Sequence, residues 1–447
     1  MQRTGDHVLV LGAERTGRAV FRFLRERSAS VRVADRSAPA RESFHADYGV
    51  DCLPDDDADA LLRGIDLVVT SPGVPQTHPV LQRALLRGTP IYSEIELAGR
   101  YLSCPILAVT GTNGKSTATT LLGAMCREAG HQTFVGGNLG TPLIDAAHAE
   151  SMPQLAVAEV SSFQLEWIQA FHPTLAVVLN LTPDHLDRYA SMAEYGEAKA
   201  TLIEALRPGD FAVLNRDDEW VWSLRERTDA HVVSFGRDPV EFGAYLEGDE
   251  PPRSIVFWGK AASPVRFPLA RTHLLGAFNE ENLLAAVTAA GVYGLPTEAI
   301  QRAIDTVEPL PHRLALVREV RGVRWYDDSK ATNVGAADKS VRSFAAGVTL
   351  LLGGYDKGAD FRALAPALAG RARQVIAFGT AGPTVASALE GVVPLRVEPN
   401  LARAVAAAAA TAAAGEVVLL APACASFDEF RDYNERGDRF RALVEVL

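Results

Sequence analysis

Residues 109–120, VTGTNGKSTATT, set a lysine and six hydroxyl side chains on and around a glycine turn. The common phosphate-binding pattern is G-x-x-x-x-G-K-[ST]. Gly114, Lys115 and Ser116 supply its second half, but Val109 stands where the first glycine belongs. Gly111 offers a shorter G-x-x-G-K-S loop instead. A helix starting at Lys115 would aim backbone N–H groups and its positive end at phosphates. Lys115 would neutralise phosphate oxygens and the Ser116 hydroxyl would suit Mg²⁺. The bland alternative, a glycine-rich turn with a solvated lysine, fits poorly with G-K-S-T directly after an apolar strand.

Five further segments lie at or after the ends of apolar runs. Glu159 ends the run in LAVAEVSSFQLE. A carboxylate there is costly without a cation or hydrogen-bond donors, so it reads as a Mg²⁺ ligand or as a structural buried acid. His185, in PDHLDRY (183–189), could meet metal or phosphate, or make a structural hydrogen bond. DDSKATN (327–333), LLGGYDKGADF (351–361) and APACASFDEF (421–430) also follow apolar runs, and Lys357 and Ser426 could receive a carboxylate. Each could be a solvated loop alone; together they would share one sheet edge, where open parallel sheets bind ligands.

The elements that would position these groups alternate strand and helix, the pattern of parallel α/β sheets. Strands are expected at 7–12, 30–35, 66–73 and 90–93. A second series follows at 105–111, 156–162, 174–182, 211–215 and 231–236, with an antiparallel hairpin strand at 253–259. A third runs through 323–328, 348–354, 374–379, 394–398 and 416–422. Helices are expected at 17–27, 115–129, 191–206 (capped by Ser191 and Glu194) and 279–294. The proline-punctuated EPLPHR, 308–313, reads as a domain boundary. The fold class is α/β with three domains: a Rossmann-like one at 1–93, a central P-loop ATPase-like, mostly parallel one at 94–308, and a Rossmann-like one at 309–447. The first βα loop, G-A-E-R-T-G, lacks the middle glycine of a dinucleotide site, which disfavours a nicotinamide or flavin cofactor. Asp35, at a strand end, could accept from ribose hydroxyls.

A net charge of −11 without a basic patch argues against a nucleic-acid partner. Cys52, Cys104, Cys126 and Cys424 form no C-x-x-C pair, in keeping with a reducing cytosol. The alanine-rich tract 404–414 is too short to cross a bilayer. A cytoplasmic location is expected.

TGTNGKST, AEVSSFQLE, NLTPDHLDRY, FNEEN, PHR, DDSKATN, LLGGYDKGADF and APACASFDEF occur in this order. Together they resemble the Mur ligases of peptidoglycan synthesis, most closely the D-glutamate-adding members, over nearly the whole chain. The resemblance implies an ATP-dependent amide ligase that joins D-glutamate to UDP-N-acetylmuramoyl-L-alanine through an acyl phosphate. It implies that Thr112 to Thr117 cradle ATP phosphates and that Ser116 and Glu159 hold one Mg²⁺. His185 and a carbamylated Lys199 would hold a second Mg²⁺. Asn279 and Asn282 would meet adenine, and Arg313 and Asp328 would reach ATP. Thr16, Asp35, Arg36, Ser71 and Asn138 would bind the UDP-sugar; Lys330, Thr332, Lys357 and Ser426 would bind D-glutamate. Tyr433 stands where the family often has phenylalanine. A monomer is expected, with a third domain that rotates about the linker near Pro309 and Pro311. Competing readings are a sister ligase for another amino acid, although the arginine signature of diaminopimelate-adding members is absent, a folylpolyglutamate-type ligase, and a P-loop switch or motor NTPase.

Overall fold

The computed structural model describes residues 7–27, 30–148, 152–185, 188–248, 253–259 and 263–447. The strands in chain order are β1 His7–Leu11, β2 Ser30–Ala34, β3 Cys52–Leu53, β4 Leu67–Thr70, β5 Ile91–Ser93, β6 Ile106–Thr110 and β7 Thr133–Gly137. Next come β8 Leu155–Glu159, β9 Leu175–Val178, β10 Phe211–Asn215, β11 His231–Gly236, β12 Gly243–Glu247, β13 Ser254–Trp258 and β14 Val265–Pro268. The last are β15 Ala315–Val320, β16 Val323–Asp327, β17 Val348–Gly353, β18 Ala372–Phe378, β19 Leu395–Glu398 and β20 Val417–Leu420.

They form three α/β sheets. The first is wholly parallel, ordered β3-β2-β1-β4-β5. The second is ordered β14-β13-β12-β11-β10-β9-β6-β8-β7, parallel except for an antiparallel meander of β12, β13 and β14. The third, β15-β16-β20-β17-β18-β19, is parallel apart from its edge strand β15. β6 reads ILAVT and is buried throughout, as a strand covered by helices on both faces must be.

The chain divides into two compact units. Met1–Arg271 with Glu281–Asp305 carry the first two sheets; Thr272–Glu280 with Thr306–Leu447 carry the third. In the first unit the helix Glu94–Tyr101 is the strut between sheets. Ser93 N–H donates to the Trp167 carbonyl at 3.1 Å. The buried Glu96 carboxylate accepts from the backbone of Gln169, Ala170 and Phe171. Ile95, Leu97 and Ala98 continue one core from Val8 and Val10 to Leu143, Ile144 and Ile106.

Glu94 carries a cost here. Its carboxylate accepts from Ile144 N–H at 2.6 Å and from Gln164 at 3.5 Å. Burial still pushes its pKa up from 4.5 to about 7. The unfolded chain ionises this group from about pH 4.5 and the folded chain only from about 7, so stability is lost as pH rises between those values. Glu94→Gln is expected to remove that loss, raising stability at pH 8 by about 2–3 kcal/mol relative to the unchanged chain, with a much smaller gain at pH 4. Denaturant melts at the two pH values check it; equal effects at both would count against it.

Several elements escape the sequence pattern. β15 is a half-exposed edge strand, and β12 opens on Gly243, where an added Cβ would lie 1.8 Å from the Ser234 carbonyl oxygen. The strand expected at 253–259 is the middle of a meander, paired on both sides. The helix Thr297–Thr306 buries Ala299, Ile300, Ala303 and Ile304, a helical stripe that was legible but is absent from the expectations above. The four cysteines are free thiols. No helix among the described residues is long and apolar enough to cross a membrane.

Candidate active site

β8, β6 and β9 are neighbours, so the loops leaving their carboxyl ends converge. Gly111 (φ 148°) and Gly114 (φ 85°) make the turn, and Gly114 caps the helix Lys115–Glu128. A side chain at either glycine would collide: a Cβ on Gly114 would lie 2.1 Å from Asn282 Oδ1, and one on Gly111 2.9 Å from Leu179 Cβ. Asn180, just past β9, holds the loop. Its Oδ1 accepts from Asn113 N–H at 2.9 Å and its Nδ2 donates to the Asn113 carbonyl at 3.2 Å. Thr112 and Asn113 also bond to Thr182. Lys115 Nζ bends back onto the carbonyls of Gly111 and Thr112, at 2.9 and 2.8 Å. Ser116 and Thr117 are buried at the helix start.

Lys199 joins this loop. Its Nζ donates to the same Gly111 carbonyl at 2.9 Å and lies 4.7 Å from the centre of the Tyr195 ring. The residue is 1% exposed. Burial, then the Lys115 charge, hold its pKa well below the ordinary lysine range, against the pull of Asp184 and Glu159. His185 has a left-handed backbone (φ 55°). Its ring packs edge-on against Phe163 at 4.8 Å, and Nε2 is 3.9 Å from Asp184 Oδ2.

Glu159, at the end of β8, is 3% exposed. Oε1 accepts from Asn138 Nδ2 at 2.7 Å, whereas Oε2 is buried with no hydrogen-bond partner among the described residues. A desolvated carboxylate oxygen left unpaired costs several kcal/mol unless something cationic meets it, so this atom suits a divalent ion. Among the described residues no three His, Cys, Asp or Glu side chains cluster as a protein-only cage. An ion at Glu159 would thus draw further ligands from phosphate and water, as Mg²⁺ does. Glu159→Gln is expected to weaken Mn²⁺ binding in the presence of ADP more than about 100-fold, without lowering the metal-free melting temperature. Calorimetric titration and a melt check both parts; undiminished Mn²⁺ affinity would remove Glu159 from the metal site.

In the first sheet a cavity of about 410 Å³ is lined by Thr16, Asp35, Arg36, Ser71 and Asn138, among others. That size suits a small-molecule ligand. Ser71 Oγ is buried and unpartnered among the described residues. Asp35 spends one lone pair of each oxygen on the backbone N–H groups of Ala13 and Ser37, both at 2.8 Å. Gly17 is obligatory: a Cβ there would lie 1.8 Å from the Gly12 carbonyl oxygen. Asn138 serves both places, lining this cavity and gripping Glu159 through Nδ2 and, at 2.9 Å, through its backbone N–H.

In the second unit β16, β20 and β17 are neighbours, and their carboxyl-end loops carry Lys330, Thr332, Ser426 and Lys357. Backbone bonds tie the loops together, Ala423 N–H to the Ala331 carbonyl and Tyr355 to Ala425 in both directions. Lys330 Nζ donates to Tyr433 Oη at 2.6 Å. Lys357 is exposed and Ser426 buried. Asp328 is engaged inside this unit, accepting from Leu314 N–H at 3.1 Å and from the Ser340 hydroxyl. Burial raises its pKa to about 6. It steadies the turn that holds Arg313, flanked by the left-handed His312 and Leu314. Asn279 belongs to this unit and donates to the Leu275 carbonyl at 2.8 Å, whereas Asn282 belongs to the first unit with the phosphate-type loop.

Family models match in chain order: "Mur ligase MurD-like, N-terminal domain" over residues 6–93, "Mur ligase middle domain" over 109–290 and "Mur ligase, glutamate ligase domain" over 312–424. A UDP-N-acetylmuramoylalanine–D-glutamate ligase of Geobacter metallireducens is 42% identical across 100% of this chain and 99% of its own length. The chain belongs to the Mur ligase family. A second relative of the same name, from Syntrophotalea carbinolica, is 42% identical over 99% of this chain and 98% of its own. The Mur ligase fold is shared with a UDP-N-acetylmuramate-alanine ligase of Thermotoga maritima, TM-score 0.63 at 18% identity, covering 99% of each chain. It is shared also with a pseudomurein peptide ligase of Methanothermus fervidus, TM-score 0.63 at 16% identity over 99% of this chain and 100% of that one.

Sequence reasoning missed two groups that shape these loops, one in each unit. Asn180 is one; an asparagine ending a strand beside a glycine loop was the available signal. Arg436 is another. It is fully buried and donates to the Ser329 hydroxyl and to the carbonyls of Ser329 and Ala425. Burial lowers its pKa to about 10. Its spacing of four and eight from the buried Phe440 and Val444 put it on the inner helix face.

Proposed function

We propose that this chain joins D-glutamate to UDP-N-acetylmuramoyl-L-alanine at the expense of ATP, in peptidoglycan synthesis. The observation that carries this reading is the 42% identity, over the full length of both chains, to a relative bearing that activity in its name. The three working domains are 1–93 for the UDP-sugar, 94–308 for ATP and Mg²⁺, and 309–447 for the amino acid.

In this reading the UDP end occupies the cavity of Thr16, Asp35, Arg36 and Ser71, and Asn138 faces the muramoyl end. The loop Thr112–Thr117 cradles the triphosphate, with Lys115 leaving its two carbonyls for phosphate oxygens. Asn279 and Asn282 take the adenine, and Arg313 and Asp328 serve the nucleotide. Ser116 and Glu159 hold one Mg²⁺, whose bound form neutralises phosphate charge; His185 and a carbamylated Lys199 hold the second. The low proton affinity of the Lys199 amine supports that modification, because only a neutral amine adds to carbon dioxide, losing one proton as the N–C bond forms.

The chemistry is positioning and charge neutralisation. The L-alanyl carboxylate oxygen attacks the γ-phosphorus, the bond to ADP breaks, and an acyl phosphate forms. The D-glutamate nitrogen, as free amine, then attacks the acyl carbon; phosphate leaves and the amide nitrogen gives up a proton. Lys330, Thr332, Lys357 and Ser426 receive the two carboxylates of the amino acid. The chain acts as a cytoplasmic monomer.

The test is phosphate release with UDP-N-acetylmuramoyl-L-alanine, ATP and a panel of amino acids. Release is expected only with D-glutamate. Release independent of amino acid would sink the ligase reading, and equal use of L-glutamate would sink its stereochemical part.

A further inference from the structure

Arg188 has no part in the steps above, yet its guanidinium bonds reach across the first unit. Nε and Nη2 fork onto the Glu166 carboxylate at 3.0 and 2.5 Å. Nη1 donates to the Pro72 carbonyl at 3.0 Å, and Nη2 to the Val74 carbonyl at 3.1 Å. Its plane lies over the Phe163 ring at 4.2 Å. The side chains of Arg188 and Glu166 are 12% and 1% exposed, and Glu166 also accepts from Tyr189 Oη at 2.7 Å. A desolvated, forked pair tolerates little displacement, because moving one partner strands the other's charge.

What it joins matters. Pro72 and Val74 form the lip of the cavity that holds Ser71. The His185 carbonyl accepts from the backbone of Arg188 at 3.0 Å and of Tyr189 at 3.1 Å. The His185 ring packs on the same Phe163 that lies under the guanidinium. The Arg188 side chain therefore braces the cavity lip directly and the His185 ring through Phe163, while its backbone N–H bonds the His185 carbonyl.

We propose that Arg188 is a positioning residue that couples occupancy of the first-sheet cavity to the placement of His185 beside the nucleotide loop. Ligand pressed against the lip stabilises the seated guanidinium, and the seated guanidinium holds Phe163 and the imidazole. Coupling of this kind is reciprocal. The proposal rests on the preceding reading for the identities of the two ligands.

The experiment measures Kd for UDP-N-acetylmuramoyl-L-alanine by calorimetry on the full chain, with and without saturating magnesium and a non-hydrolysable ATP analogue. The unchanged chain is expected to show a Kd ratio of at least about fivefold. Arg188→Lys keeps the charge but cannot fork onto Glu166 and span two carbonyls, so its ratio is expected to fall to nearly one. Phe163→Leu leaves the lip bonds in place. It is expected to keep the Kd measured without nucleotide and lose the ratio, and it stands as the test should Arg188→Lys fold poorly. A folded variant with the unchanged chain's ratio overturns the proposal, as does a ratio of one in the unchanged chain. No binding of the sugar nucleotide by the unchanged chain overturns the ligand assignment itself, a failure visible before any variant is made.

Discussion

Lys115→Ala is expected to lower kcat for D-glutamate-dependent phosphate release by about 10²–10³-fold, the loss typical when one preorganised charge-stabilising donor is removed. Lys115 sits at the start of the helix Lys115–Glu128, beside the left-handed Gly114. Its ammonium now rests on two loop carbonyls. Those bonds are replaceable by water, since the residue is only partly buried. Phosphate charge developing in transfer has no such substitute. The variant should therefore melt within a few degrees of the unchanged chain while losing turnover. Phosphate release and a thermal melt read the two parts. Full activity would remove the loop from the mechanism, and a collapsed melt would mean that the lysine is structural.

Lys199→Ala carries the second large effect. An ammonium buried to 1% exposure beside Lys115 is disfavoured twice, by lost hydration and by like charge. Neither the ammonium nor the amine can bind Mg²⁺ as a carboxylate would, whereas a carbamate would present two oxygens in the same place. Alanine should cost about 10²–10³-fold in kcat, and a short carboxylic acid such as acetate should restore part of it by entering the vacated space. Lys199→Met, which fills the space without oxygens, should lose as much and recover nothing. Intact mass under carbon dioxide should show the added group on the unchanged chain alone. Rescue of both variants alike, or of neither, would sink the carbamate assignment.

Much of the architecture was legible because it is local. Apolar runs such as ILAVT in β6 and LAVAE in β8 declare buried parallel strands whatever surrounds them. Gly114, Lys115 and Ser116 declare a phosphate-type turn because its geometry lies within a few consecutive residues. β15 and β12 were less legible, for β15 (ALVREV) buries no residue and β12 (GAYLE) buries only Gly243 and Ala244, so that both become strands by pairing with a neighbour.

The site divides along the same line. Which residue types stand at which strand ends is written in the chain, and so Glu159 and Asp35 could be named from their place after apolar runs, whereas Lys199, on a helix, and the other cavity residues were named only through the family resemblance. Their states are set by neighbours distant in sequence. Asn138 reaches Glu159 across 21 residues and leaves one oxygen bare. Lys199 meets the Gly111 carbonyl across 88. Arg188 meets Val74 across 114. Burial, hydrogen-bond partners and neighbouring charges decide whether a lysine is an ammonium or an amine and whether an arginine is a surface charge or a tie. Those quantities exist only once strands far apart in sequence lie side by side.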